Sequence, residues 1–360
     1  MKPRERVLMA INHLEPDRLP VDYIGTPEVR EALFRHFRLD DISDETEKMN
    51  RLLEALGVDL RHIGPKYIGP EIKVNPDGSY VDMWGAHRRS VKTAYGAYDE
   101  FVDFPLRDAK TLEEIEAYPW PSPDWFDYTL IKDFCERFSD FAIVAGGMGG
   151  CDFINGTSFL RSMEQVLLDI GMENALIFRL FQIRSDFFYE YNRRIFERAR
   201  GRIDIMFYGD DYGSQRGPTI SPACYRKIFH PSWKRHIAQA KAAGAKVMLH
   251  CCGSSRGLIP DLLDTGFEIL STVQVYAEGM EPTRLKRDFG NRLSFHGGID
   301  TQAVLCRTDA EGVRKEVRRI FRTLGENGGY ILAPTHNIQP DTPLENVLAM
   351  YDEAARCKYS

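Results

Sequence analysis

Eight short apolar runs, spaced by helix-length amphipathic segments through 360 residues, predict an α/β chain folded as a TIM (β/α)8 barrel. The runs are Leu19–Tyr23, Val58–Ile63, Phe141–Ala145, Ile203–Tyr208, Lys246–His250, Phe267–Thr272, Leu293–His296 and Gly329–Ala333. Alternating strands and helices imply a parallel sheet, and eight units in this length favour closure over an open sheet. The expected organisation is one barrel domain over residues 1–360.

The elements follow in order. A first helix is expected over Pro3–Leu14, with Val7, Leu8 and Ile11 on one side and Pro3 in its first turn. Another is expected near Glu45–Leu56. After the second strand, Asn75-Pro-Asp-Gly78 is a strong turn signal between β-like flanks. It predicts an inserted β-hairpin over residues 72–94. The Pro-rich passage Pro119-Trp-Pro-Ser-Pro123 reads as a surface connection. Helices fit Ala175–Arg200 and Val313–Leu324; in the latter, Val313, Val317, Ile320, Phe321 and Leu324 keep the helical period. Ser221-Pro222 reads as a helix start, with the serine as N-cap.

Composition narrows the function. The chain is 43% hydrophobic and 28% charged, with formal net charge −6, which argues against a broad nucleic-acid footprint. No apolar run approaches membrane-spanning length. The opening Met1-Lys-Pro-Arg-Glu-Arg6 does not read as a secretory leader. Seven scattered cysteines, an odd number, then point to free thiols in a reducing cytoplasm.

Chemistry concentrates where the expected strands end, the face on which barrel enzymes place their catalytic groups. His250-Cys251-Cys252-Gly253 closes the fifth strand. Residues i and i+2 of an extended chain point the same way, so His250 and Cys252 can offer nitrogen and sulfur to one ion. Cys251 points to the other side. His336, at the end of the eighth strand, is the third candidate ligand, and a catalytic zinc takes about three. The same residues also fit a core cysteine beside a hydrogen-bonded histidine.

Asp210 and Asp211 end the fourth strand. They are candidate catalytic acids or substrate contacts, or else carboxylates capping a helix. Trp84 either covers the barrel mouth or packs the hairpin. Met148 and Phe153 either line a ligand cavity or pack a loop. Gly297-Gly-Ile-Asp300 is a weak anion-binding pattern and fits a barrel turn better.

In this order the motifs resemble the uroporphyrinogen decarboxylase superfamily over nearly the full length. The likeness runs from Pro3-Arg-Glu-Arg-Val7 through Asp82-Met-Trp-Gly85, Gly209-Asp-Asp-Tyr-Gly213 and Ile220-Ser-Pro222. It continues with His250-Cys-Cys-Gly253, Phe295-His-Gly-Gly-Ile-Asp300, Pro334-Thr-His-Asn337 and Thr342-Pro-Leu-Glu-Asn346. The resemblance implies a TIM barrel.

The superfamily's porphyrinogen decarboxylases carry an N-terminal Met-Arg-Gln-Ala-Gly-Arg signature. Here that region reads Val21-Asp-Tyr-Ile-Gly-Thr-Pro27, so porphyrinogen decarboxylation is not expected. The other branch holds zinc-dependent methyltransferases working with corrinoid (cobalamin) proteins. Their His-x-Cys pair matches His250 and Cys252, while His336 stands where they have a second cysteine. The resemblance therefore implies zinc on His250, Cys252 and His336, a small methylated substrate, and a corrinoid on a separate protein, since no Asp-x-His-x-x-Gly cobalamin pattern occurs. A metal-free decarboxylase or lyase using His336 and Asp210 as acid–base groups is the alternative.

Overall fold

The computed structural model describes residues 1–93 and 96–359. Seven strands form one curled, wholly parallel sheet. In sheet order they are Leu60–Ile63, Ala142–Gly146, Ile205–Gly209, Lys246–His250, Ile269–Thr272, Ser294–Ile299 and Tyr330–Pro334. Spatial order equals chain order because each strand returns through helical crossovers to pair with its predecessor.

Seven strands are present where the sequence predicts eight. The first expected strand, at residues 19–23, lies between the two edge strands but pairs only through an isolated bridge from Val21 to Leu332. The Asp22 amide donates to the Leu332 carbonyl at 2.9 Å, and the Asp59 amide donates to the Val21 carbonyl at 3.0 Å. The reason is local. Pro20 has no N–H to give, and the Val21 N–H goes to the Asp59 carboxylate at 3.0 Å rather than to a ladder carbonyl.

Period-2 alternation splits the core. Leu60, Ala142, Val144, Ile205, Phe207, Met248, Ile269 and Ile331 form the inner cluster, together with Val7 and Ile11. Those last two come from helix Pro3–Ile11, which covers the N-terminal end of the sheet. The intervening strand residues face the larger outer cluster under the helices. Helix Ala175–Ala199 is the longest, and its Asn174 side chain accepts from the Leu176 amide as N-cap. Ser221 caps helix Pro222–Ile228 through the Cys224 amide, as its sequence predicts.

The insertion differs from the expected hairpin. Strands Ser79–Val81, His87–Lys92 and Ala97–Asp103 form a three-stranded antiparallel sheet. Its first tight turn is Asp82–Gly85, where the Asp82 carboxylate accepts the Trp84 and Ala86 amides. Asn75–Gly78 is a turn, but it leads into the first strand rather than joining two. Ala94, at the end of the expected span, lies outside the described residues. Trp84 packs on helix Ala175–Ala199, 4.8 Å from the Phe187 ring centroid with the Arg184 guanidinium 4.4 Å from its own. It anchors the insertion. Among the described residues, no helix is long and apolar enough to cross a membrane, and all seven cysteines are free.

Candidate metal centre

Register builds the site. Met248 faces the inner core, so His250, two residues on, faces the same side at the C-terminal edge. Its neighbours in register are Gly209 and Ser271, and Ser271 in turn faces His296. The chain then leaves the strand and brings the Cys252 Sγ to 3.2 Å from the His250 Nε2. Gly253 makes that turn at φ +72°, and a Cβ there would meet the Ser214 carbonyl at 2.7 Å. Cys251 faces away, buried, with its sulfur accepting the Tyr212 amide at 3.4 Å.

His336 follows strand Tyr330–Pro334, and its ring centroid lies 5.9 Å from that of His250. One potential ligand atom each from His250, Cys252 and His336 lies within 4.8 Å of the others. Zinc bonds of about 2.0–2.3 Å in tetrahedral geometry put adjacent ligands about 3.5 Å apart, so the set fits one ion with a small closing movement of the widest pair. The donor chemistry fits as well. Burial draws the His250 imidazole down to about 4, leaving it neutral at pH 7. Burial lowers His336 too. Burial and the nearby Asp211 push the Cys252 thiol up, so it is a thiolate only when a cation compensates.

The two aspartates separate. Asp211 borders the cluster: its Oδ1 accepts the Cys252 amide at 2.7 Å and lies 3.8 Å from the His250 Nε2. Its Oδ2 accepts from the Asn155 side chain at 2.8 Å. Asp210 is buried and turned away, with Oδ1 accepting the Ile154 amide at the start of helix Ile154–Arg161. Burial and the adjacent Asp152 carboxyl raise Asp210 far above the usual carboxylate range. Phe153 packs among Phe181, Phe229 and Trp233 rather than lining a cavity.

One polar network was not assigned a role from sequence. Asp22 Oδ2 lies 3.0 Å from the Nε2 of His62 and 3.0 Å from the Nε2 of His296. Ser271 Oγ lies 3.0 Å from the His296 Nδ1. Burial would raise Asp22, but the two histidines outweigh it and hold the carboxyl far below its ordinary range. His62 is pulled down by burial and pushed higher by Asp22, for a net rise. A signal existed: His62 follows the inward Leu60 by two residues, as His250 follows Met248. Its partner Asp22 lies in a separate segment, beside the isolated bridge at Val21, which one segment cannot reveal.

Beside this network lies a cavity of about 730 Å³, lined in part by Tyr23, Arg61, His62, Ile63, Met148 and Phe207. Phe207 joins it to the centre, its ring 6.3 Å from those of both His250 and His296.

Residues 135–357 match the family model for uroporphyrinogen decarboxylase (URO-D). The chain belongs to the uroporphyrinogen decarboxylase family. Relatives within and around this family include the methylcobamide:CoM methyltransferase MtaA of Methanosarcina barkeri, 25% identical over 64% of this chain and 62% of that protein. The match thus spans less than two thirds of that relative's length. A uroporphyrinogen decarboxylase of Thermus thermophilus is 27% identical over 82% of this chain and 79% of its own. A solved methyltransferase from Methanosarcina mazei superposes over 99% of both chains with TM-score 0.65 at 20% identity, which establishes shared fold.

Proposed function

We propose that this family member is a zinc-dependent methyltransferase that moves a methyl group from a small methylated donor, such as a methyl ether, to a corrinoid carried by a separate protein. The observation that carries this reading is the convergence of His250, Cys252 and His336 at the C-terminal edge of the sheet. The similarity to a methylcobamide-dependent methyltransferase supports it. So does the absence of the arginine signature near Pro20.

His250, Cys252 and His336 would hold the ion, whose contribution when bound is Lewis acidity toward the oxygen that loses its methyl group. One thiolate and two neutral imidazoles leave about +1 on a divalent ion by ligand counting, which suits a hard oxygen better than a soft thiolate. Asp211, bonded to the Cys252 amide, positions that residue and presents a carboxylate at the substrate side. Asp210 acts through structure, capping the helix that carries Asn155, which in turn holds Asp211.

A metal-free decarboxylase reading has one supporting observation, the longer match to the Thermus protein. Burial of Asp210 removes the acid that this reading needs at the substrate. Elemental analysis separates the two. About one zinc per chain in wild type, lost in Cys252→Ala, is expected. Metal-free protein that still turns over after zinc depletion would sink the methyltransferase reading.

A further inference from the structure

The Asp22 network has one open position. Asp22 is 1% exposed, and its carboxylate meets the Nε2 of His62 at 3.0 Å, the Nε2 of His296 at 3.0 Å and the Tyr23 amide at 2.8 Å. His296 is fully buried, and its other nitrogen is engaged by Ser271 Oγ. His62 differs. Its side chain is 35% exposed and lies on the wall of the 730 Å³ cavity. Among the described residues, its Nδ1 has no hydrogen-bond partner.

A carboxylate only accepts, so Asp22 fixes the proton of a neutral His62 on Nε2 and leaves the lone pair on Nδ1. The two ring nitrogens point nearly opposite ways, so Nδ1 faces away from the buried carboxylate. Burial opposes the imidazolium, but Asp22 outweighs both burial and Arg61, so His62 titrates above its ordinary value. Behind the network, the Tyr351 hydroxyl donates to the Asp22 carbonyl. The outer wall of the cavity holds Arg30, Glu45, Asp133 and Arg137. Of the described residue types on this wall, histidine alone ordinarily changes charge near neutral pH. The aspartates of the metal centre are otherwise engaged, Asp210 by the Ile154 amide and Asp211 by the Cys252 amide and Asn155.

We propose that His62 is the acid–base residue of this cavity and gives, through Nδ1, the proton that the oxygen of the methyl donor needs. This deepens the methyl-transfer reading and rests on it. When the methyl carbon leaves oxygen for a Co(I) corrinoid, both electrons of the new bond come from cobalt. The C–O electron pair therefore stays on oxygen, and one proton balances it. His62 supplies that proton and recovers it from solvent.

The cavity wall at Ile63, Met148 and Phe207 is apolar. The probes are therefore anisole, a methyl aryl ether, and phenol, its demethylated form. Each is titrated by NMR into the full chain, as purified and after metal removal, from about pH 5 to 9. Protonated His62 donates to the ether oxygen, so anisole affinity should fall severalfold as pH rises through the His62 titration. Phenol should keep its affinity, because its O–H donates to the bare Nδ1. His62→Gln, a change at a partly exposed side chain, should abolish this divergence. Nitrogen-15 labelling of histidine should show the neutral His62 ring, identified by its loss in the variant, protonated on Nε2. Binding of neither probe, an equal response of both to pH, a divergence that survives His62→Gln, or a neutral ring protonated on Nδ1 would overturn the assignment. The two proposals fail separately. Protein that takes zinc but shows no divergence refutes the role of His62 alone. Protein that shows the divergence yet takes no zinc refutes the metal reading alone.

Discussion

His250 and Cys252 occupy one side of the chain where a strand ends, and Gly253 makes their approach possible. Gly253→Ala should destabilise the fold by more than about 1 kcal/mol, because alanine is strained at positive φ and its methyl group meets the Ser214 carbonyl. Urea denaturation with reversible refolding measures this. Asp211→Asn keeps the size of the side chain but weakens its hold on the Cys252 amide and removes the negative charge beside the cluster. Zinc affinity should fall about 10–100-fold, as for other groups that orient ligands, with the unfolding midpoint of the metal-free protein little changed. Competition with a chelating dye reads the affinity, and unchanged affinity would reduce Asp211 to a loop contact.

At the scale of elements, the helices around the outer core carry their own titration. His236, on helix His230–Ala242, is fully buried against Ser185 Oγ at 3.0 Å and Cys151 Sγ at 3.4 Å. Burial draws it down to about 3, against about 6.5 in an unfolded chain. Between those values the unfolded chain takes up the proton first, so stability is complete above about pH 6.5 and falls as pH drops toward 3. The slope from this one group is about 1.4 kcal/mol per pH unit. Denaturation midpoints at pH 7, 5.5 and 4.5 should therefore converge between wild type and His236→Gln as pH falls. Parallel curves would show that His236 opens to water before the fold is lost.

For the whole molecule, the seam between the first and last sheet strands is the weak point, since the segment that fills it pairs through isolated bridges rather than a continuous ladder. Asp59 reinforces it. Its carboxylate is fully buried and accepts from Arg6 Nη1 at 2.6 Å, from both Nη atoms of Arg18 at 2.9 Å, and from the Val21 amide. Asp59→Ala leaves two guanidinium groups and an amide without this acceptor. The expected loss is about 3–5 kcal/mol, the usual consequence of stripping one partner from a buried ion network. Chemical denaturation tests it, and hydrogen exchange should show the largest gain at Asp22 and Leu332, whose amides hold the seam.

Local pattern carried much of this protein. Lys246–His250 shows the same bounds in sequence and structure because a short apolar run ending in a polar pair depends on its own residues. His250, Cys252 and His336 were legible for the same reason, each being a chemically distinctive side chain at the end of an apolar run. An antiparallel pair does form within the expected span of 72–94, but its joining turn is Asp82–Gly85 rather than Asn75–Gly78, because both are competent turns and only cross-strand pairing selects between them. The separation of Asp210 from Asp211 depends on Ile154 and Asn155, which lie on another crossover. The Asp22–His62–His296 network likewise depends on residues far apart in the chain. Sequence determined seven of the eight sheet strands it predicts and the side chains that end them. Tertiary structure decided which polar groups meet, because curling the sheet sets partners that no local period encodes.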